Sequence, residues 1–246
     1  MIKLLRGEAY RILRKKRLYV FFAALAVGYV LVAYVRSGGF SAESILGDTR
    51  LFILLPPLAG GVLFSTIYLD DLSSKNLATL IGFGVGKAKI AAAKLILTAL
   101  FAAVVYALAP LLLYAAHAAL GFPATAGVMA LVCAMSLKQM LTTVAFSALS
   151  GAVAYGLQKK AAAMVAYILL AFGVVSQLAG LLLRTEFVSG VVPGLDRRLM
   201  PDITDRIITG LTGGVFPVGA VVEYVVYVLA ALALSALALD RREMEF

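Results

Sequence analysis

One histidine, one cysteine and 13 carboxylates are the stock from which this 246-residue chain can build catalytic or metal chemistry. Nucleophilic catalysis needs a serine and a base within hydrogen-bond reach. Ser150, in Ala148-Leu149-Ser150-Gly151, has a nucleophile-like setting, and His117 is the one candidate base. They lie on neighbouring apolar stretches, His117 toward one surface and Ser150 toward the other, so the pair is not expected to meet. No His-Glu-x-x-His run offers a zinc site. Cys133 sits alone in an apolar stretch, which excludes a disulfide framework and a thiolate metal set. Gly82, Gly84, Gly86 and Lys87 invite a phosphate-loop reading, but the residue five before Gly86 is Ile81 and Lys87 is followed by Ala88. The Walker spacing fails, and so does the dinucleotide pattern, because the residue three after Gly84 is Lys87. No nucleotide, cofactor or metal site is therefore expected on this chain. Two charges at membrane depth remain, Lys138 and Glu223. An ionisable group there is expensive without a partner or water, so an outer-leaflet pair between them is one expectation and separate snorkelling to the surface the other.

The elements that would hold these residues are apolar spans. Leu18–Val35, Leu51–Leu69, Leu95–Leu120, Gln139–Leu157 (apolar from 128), Ala161–Leu183 and Val218–Leu239 are each about long enough to cross ~30 Å of hydrocarbon. Five contain no Asp, Glu, Lys or Arg, and the last contains only Glu223. Hydrophobic residues make up 63% of the chain and charged ones 14%, against roughly 45–50% and about 25% in soluble domains. The expected fold class is an all-α membrane protein of six transmembrane helices forming one transmembrane domain over 1–246. No room remains for a separate soluble catalytic domain. The basic N-terminus followed by an apolar run resembles a secretory leader, but the run is long and no A-x-A-like site follows, so it reads as a retained first span.

The net charge of +9 is distributed asymmetrically. With the N-terminus inside, segments 1–17, 70–94, 158–160 and 240–246 hold 15 of the 22 Lys and Arg residues, and the outer segments 36–50 and 184–217 hold six. The positive-inside rule then places both termini in the cytoplasm, and the basic charge points to topology rather than nucleic acid.

Outside the spans, Ile2–Arg17 reads as an amphipathic helix, with Ile2, Leu5, Ala9 and Ile12 on one face and Lys3, Arg6, Arg14 and Arg17 on another. Such a helix suits an interface with anionic lipid. In the loop Asp70–Lys94, Leu72, Leu77, Leu80 and Ile81 fit a short helix capped by Asp71 or Ser73 and ended by Gly82, Gly84 and Gly86. In the outer segment, Pro201 opens a second short helix with Ile203, Ile207 and Leu211 on one side and Gly213–Gly214 at its end. Ala148, Ala152 and Gly156 give the fourth span a small-residue stripe that favours close packing.

In this order, the parts resemble the permease subunit of the ABC type-2 exporter family. The match rests on Leu4–Arg17, similar to the basic interfacial elbow before the first span; on Asp70–Lys94, similar to the coupling loop after the second; and on the tail Leu239-Asp240-Arg241-Arg242-Glu243-Met244. The resemblance departs at one place: the usual Glu-x-Gly-Thr run is replaced by Ser73-Ser74-Lys75-Asn76-Leu77. It implies coupling contacts at Asp70, Asp71, Lys75, Leu77, Leu80, Ile81 and Lys87, and elbow residues Arg6, Glu8, Arg11 and Arg14. It further implies a second permease subunit, the same or related, and a dimer of cytosolic ATPase subunits that bind ATP and Mg on their own chains. The cargo class it implies is a peptide, a lipid or a hydrophobic small molecule exported across the cell membrane. The alternative is an ATP-independent multi-span protein, either a secondary transporter or an assembly scaffold. For the former, a single intramembrane carboxylate near a span end and one mid-span proline (Pro110) are thin support, and no inverted repeat is evident.

Overall fold

A computed structural model describes residues 1–36, 54–73, 76–119, 125–185 and 194–241. Among these the regular structure is helical, with no strand. A backbone in hydrocarbon must satisfy its own N–H and C=O groups, and helices do so within one segment. Helix α1 spans Ile2–Leu13 and α2 spans Lys16–Arg36. The chain from Pro56 to Leu69 is irregular: two π turns, Pro56–Gly60 and Ser65–Leu69, bracket the single α-turn α3 (Gly61–Phe64). Short helices α4 (Asp70–Ser73) and α5 (Asn76–Gly82) follow. Then come α6 (Lys87–Ala119), α7 (Ala126–Leu157), α8 (Lys160–Ala171), α9 (Val174–Leu183), α10 (Met200–Thr212) and α11 (Val218–Arg241).

Three helices, in the stretches Lys87–Ala116, Ala126–Leu157 and Val218–Arg241, are long and apolar enough to cross a membrane, and α8 with α9 makes a fourth crossing if the bent pair counts as one. Helix α7 is the hub and packs against α6, α8, α10 and α11. Its close neighbours exploit small residues: Gly156 faces Ala238 of α11, and the Ala148 carbonyl accepts a hydrogen bond from Ser235 at 3.3 Å.

Several boundaries differ from the expected spans. Helix α6 starts at Lys87, eight residues before the apolar run, because Lys87, Lys89 and Lys94 fall within its first turns and not in a loop. The expected continuous span 161–183 is broken by a 64° bend between α8 and α9. Gly173 has φ +75°, a left-handed conformation that ends α8 as a glycine cap would and that the unbroken apolar sequence conceals. The second expected span, 51–69, is described from residue 54 and is π-distorted. The short helix opened by Pro201 is present as α10, with Ile203 and Ile207 buried; Leu211, expected on the same face, is exposed. Gly84, with φ +76°, ends α5: the Val85 N–H reaches back to the Leu80 carbonyl and the Gly84 N–H to Ile81.

Candidate functional site

The least expected feature is a nest of charge inside the protein. Helix α1 turns Leu5, Ala9 and Ile12 toward the core, and the same face carries Glu8. Against it lie Asp71 from the first turn of α4 and Lys94 from α6. Lys94 and Asp71 are each 1% exposed, and Glu8 is 6% exposed. The Lys94 ammonium is paired with both Glu8 and Asp71. Arg11 closes the ring from the other side, with its guanidinium 2.7 Å from Glu8 and 2.6 Å from Asp71. Asn76, at the start of α5, donates to Glu8 Oε1 at 3.2 Å. Two cations and two carboxylates therefore alternate, and the group is neutral as a whole.

Neutrality is the condition for such burial. Removing a charge from water costs several kcal/mol, recovered only by close pairing with the remaining hydrogen-bonding capacity filled. Burial of Glu8 alone pushes its carboxyl up; the Lys94 charge and hydrogen bond, joined by those of Arg11, outweigh it and hold Glu8 below the usual carboxylate value. A second pair lies alongside: Lys15, just past α1, is paired with Asp70 and donates to the Thr66 carbonyl at 3.3 Å. The ring and this pair tie three separate stretches together: the N-terminal helix, the chain from Thr66 through Asn76, and the foot of α6.

The sequence singled out Glu8, Arg11, Asp70 and Asp71 as members of two different contact sets, and the structure joins Glu8, Arg11 and Asp71 in one ring with Asp70 in the pair alongside. It also adds Lys94, noted in the sequence only as a lysine leading into the third span. Its signal was positional, since a lone lysine one residue before a long uncharged run needs a buried partner.

Other expected site residues fall elsewhere. Arg6 on α1 and Arg14 at its C-terminal cap are exposed, and the Arg14 guanidinium lies 5.0 Å from the centre of the Tyr10 ring. Lys87 is paired with Asp240 at 3.4 Å, which joins the foot of α6 to the end of α11. Lys75 lies outside the described residues, and so does the side chain of His117. Leu77, expected on a docking face, is 2% exposed and belongs to the core, with Leu80 and Ile81 packed half-buried against it. Alternation of 3 and 4 marks an apolar face, and here that face turns inward. The side chain that does project is Phe83, 82% exposed at the turn after α5.

The expected pair of Lys138 and Glu223 is replaced by two others. Lys138 is paired with Asp205, and Glu223 with Arg206. Both new partners come from α10, which lies across α7 and α11 with Met200, Ile203 and Ile207 beneath it and its charged face outward. A search confined to the spans could not find them.

Neither a known family nor a curated protein matches this sequence.

Proposed function

We propose that this chain is the membrane permease subunit of an ATP-driven transporter, working with a second permease subunit and with separate cytosolic ATPase subunits. In this reading it crosses the cell membrane six times with both termini in the cytoplasm, as the basic bias of its short loops favours. The observation that carries the reading is the buried ring Glu8–Arg11–Asp71–Lys94. It makes the N-terminal helix, the loop after the second span and the foot of α6 a single mechanical unit at the cytoplasmic end. A force applied to the loop is then delivered to a long helix and not lost in a flexible connection. The chain has no phosphate cradle of its own, so the energy source is a partner with bound ATP and Mg. The cargo class suggested by the resemblance is a peptide, a lipid or a hydrophobic small molecule.

The docking knob is Phe83, and not Leu77. An exposed aromatic beside Lys87 and Lys89 is the kind of anchor that a partner pocket holds. The test is purification from the native host in mild detergent. A Walker-containing ATPase is expected to accompany the chain, and Phe83→Ser to abolish stimulation of its activity while leaving the permease folded. A chain that purifies with no ATPase ends the reading. Undiminished stimulation by Phe83→Ser ends the docking assignment alone.

A further inference from the structure

A stripe of polar residues runs along the buried face of α7: Ser136, Gln139, Thr143, Ser147 and Ser150, each under 10% exposed, at spacings of three and four. The first part of the stripe is satisfied. Ser136 donates to the Tyr106 carbonyl, and Thr143 shares a 2.6 Å hydrogen bond with the Tyr106 hydroxyl. The second part is not. Ser150 Oγ and the Tyr155 hydroxyl are buried without a hydrogen-bond partner, as is Thr66 Oγ1. Ser147 has the Tyr167 hydroxyl for a neighbour, which donates to the Pro56 carbonyl at 2.7 Å and can accept from the serine through its oxygen. A partnerless hydroxyl in a protein interior is costly, and each such group calls for an explanation. Elsewhere in the chain, threonines settle the same problem by bonding to the carbonyl four residues back, as Thr98 does to Lys94 and Thr142 to Lys138.

What covers these hydroxyls is a row of rings. Tyr167 and Phe64 stack at 5.0 Å and 10°, Phe64 and Tyr68 at 5.2 Å and 30°, and Tyr68 and Tyr155 lie 6.0 Å apart. Tyr68 sits directly on the α7 backbone at Gly151, where a Cβ would come within 2.7 Å of the ring. Two of the four rings are carried by the segment Pro56–Leu69, whose π turns are the kind of irregularity that recurs at working sites. The same segment also borders a groove of about 560 Å³, walled by Phe21, Pro57, Leu58, Val62, Thr66 and Phe172. The segment that carries the lid therefore has irregular turns at both ends and space beside it.

We propose that Ser147, Ser150 and Tyr155 line a passage for uncharged hydrogen-bonding groups within a single chain, shut in this conformation by the Tyr167–Phe64–Tyr68–Tyr155 row. Withdrawal of Pro56–Leu69 into the groove uncovers the stripe, and water or the polar uncharged part of a cargo then supplies the missing hydrogen bonds. No charged side chain belongs to this part of the stripe, so an ion is not its guest. The inference deepens the transport reading and rests on it, but it does not depend on the identity of the energy source.

The test uses the full chain in native membranes with Cys133→Ala, and Ser147→Cys, Ser150→Cys or, as an apolar buried control, Ala102→Cys. The probe is 2-hydroxyethyl methanethiosulfonate, a small, uncharged, water-borne thiol reagent. Adding Phe64→Leu, which removes the stacking but keeps an apolar filling, is expected to speed labelling at both serine positions roughly tenfold or more, as a shift toward the open population would. Labelling at Ala102→Cys stays slow. No acceleration at either serine position, or an equal one at Ala102→Cys, overturns the proposal. A second reading needs no reagent: Ser150→Ala raises the melting temperature of the purified chain, because no hydrogen bond is lost in the shut form. A fall shows the Ser150 hydroxyl to be structural and overturns the passage. Loss of the ATPase partner in the purification above leaves both measurements intact, so the two readings fail separately.

Discussion

The two ends of the helix bundle both carry ion pairs, yet they are built on opposite terms. At the end holding the N-terminus, Glu8, Arg11, Asp71 and Lys94 form a closed ring in which two members are 1% exposed. At the other end, Lys138–Asp205 and Arg206–Glu223 lie at the surface, with 56% of the Asp205 side chain and 43% of the Arg206 side chain exposed. Water screens the second set and leaves each pair worth about 0–1 kcal/mol. In the first, every charge depends on the others, because any one left alone would be an unpaired ion in an apolar setting. The lesson is that burial, and not the number of pairs, decides what a charge does for a fold.

The comparison breaks most readily at Lys94. Lys94→Met strands Glu8 and Asp71 and is expected to cost about 3–5 kcal/mol, the usual penalty for breaking a buried pair on one side. The check is the thermal midpoint in detergent, and a shift too small to measure would mean that the ring is wet. Leu77→Asp is expected to destabilise on a similar scale, because it puts an unpartnered carboxylate into the core beside that ring. A well-folded Leu77→Asp chain would place that side chain outside. Gly151→Ala comes next, at about 1–3 kcal/mol, from overpacking against Tyr68.

Acidity sharpens the contrast further. Because the folded-state value of Glu8 is lowered, its stabilisation is fully present above its unfolded value of about 4.3 and is lost as pH falls through the lower folded value. The stability gap between the natural chain and Glu8→Gln is therefore expected to hold at neutral pH and to narrow only below about pH 4.3. A gap that closes between pH 6 and 8 would contradict the lowered value. The smallest effect belongs to the far end, where Arg206→Ala is expected to change stability by less than about 1 kcal/mol.

Much of this was legible in the residues, and the reasons for the rest are physical. Helix α11 and the close of α7 at Leu157 follow from long uncharged runs, and α10 from Pro201 and Gly213. These are local signals, read within a turn or two. The ring was visible only in pieces, since Glu8 and Lys94 are 86 positions apart and nothing in either stretch names the other. The inward turn of Leu77 was hidden for the same reason, because an apolar face on a short helix suits a partner and a core equally well. The serine stripe on α7 obeys the spacing of a helix face, but it is diluted by the alanines and valines around it. Gly173 disappears into a sequence whose apolar character is continuous on both sides.

Helix α6 has 33 residues, which at 1.5 Å each makes a rod about 50 Å long against a hydrocarbon layer of ~30 Å. Near its foot Lys94 is gripped by two carboxylates, while its upper portion carries Pro110, the residue most prone to bend a helix. A tilt of about 5° at the base would swing the far tip by about 4 Å over that length. Small strokes at one surface would arrive enlarged at the other, and the proline decides whether the rod delivers them whole or flexes on the way.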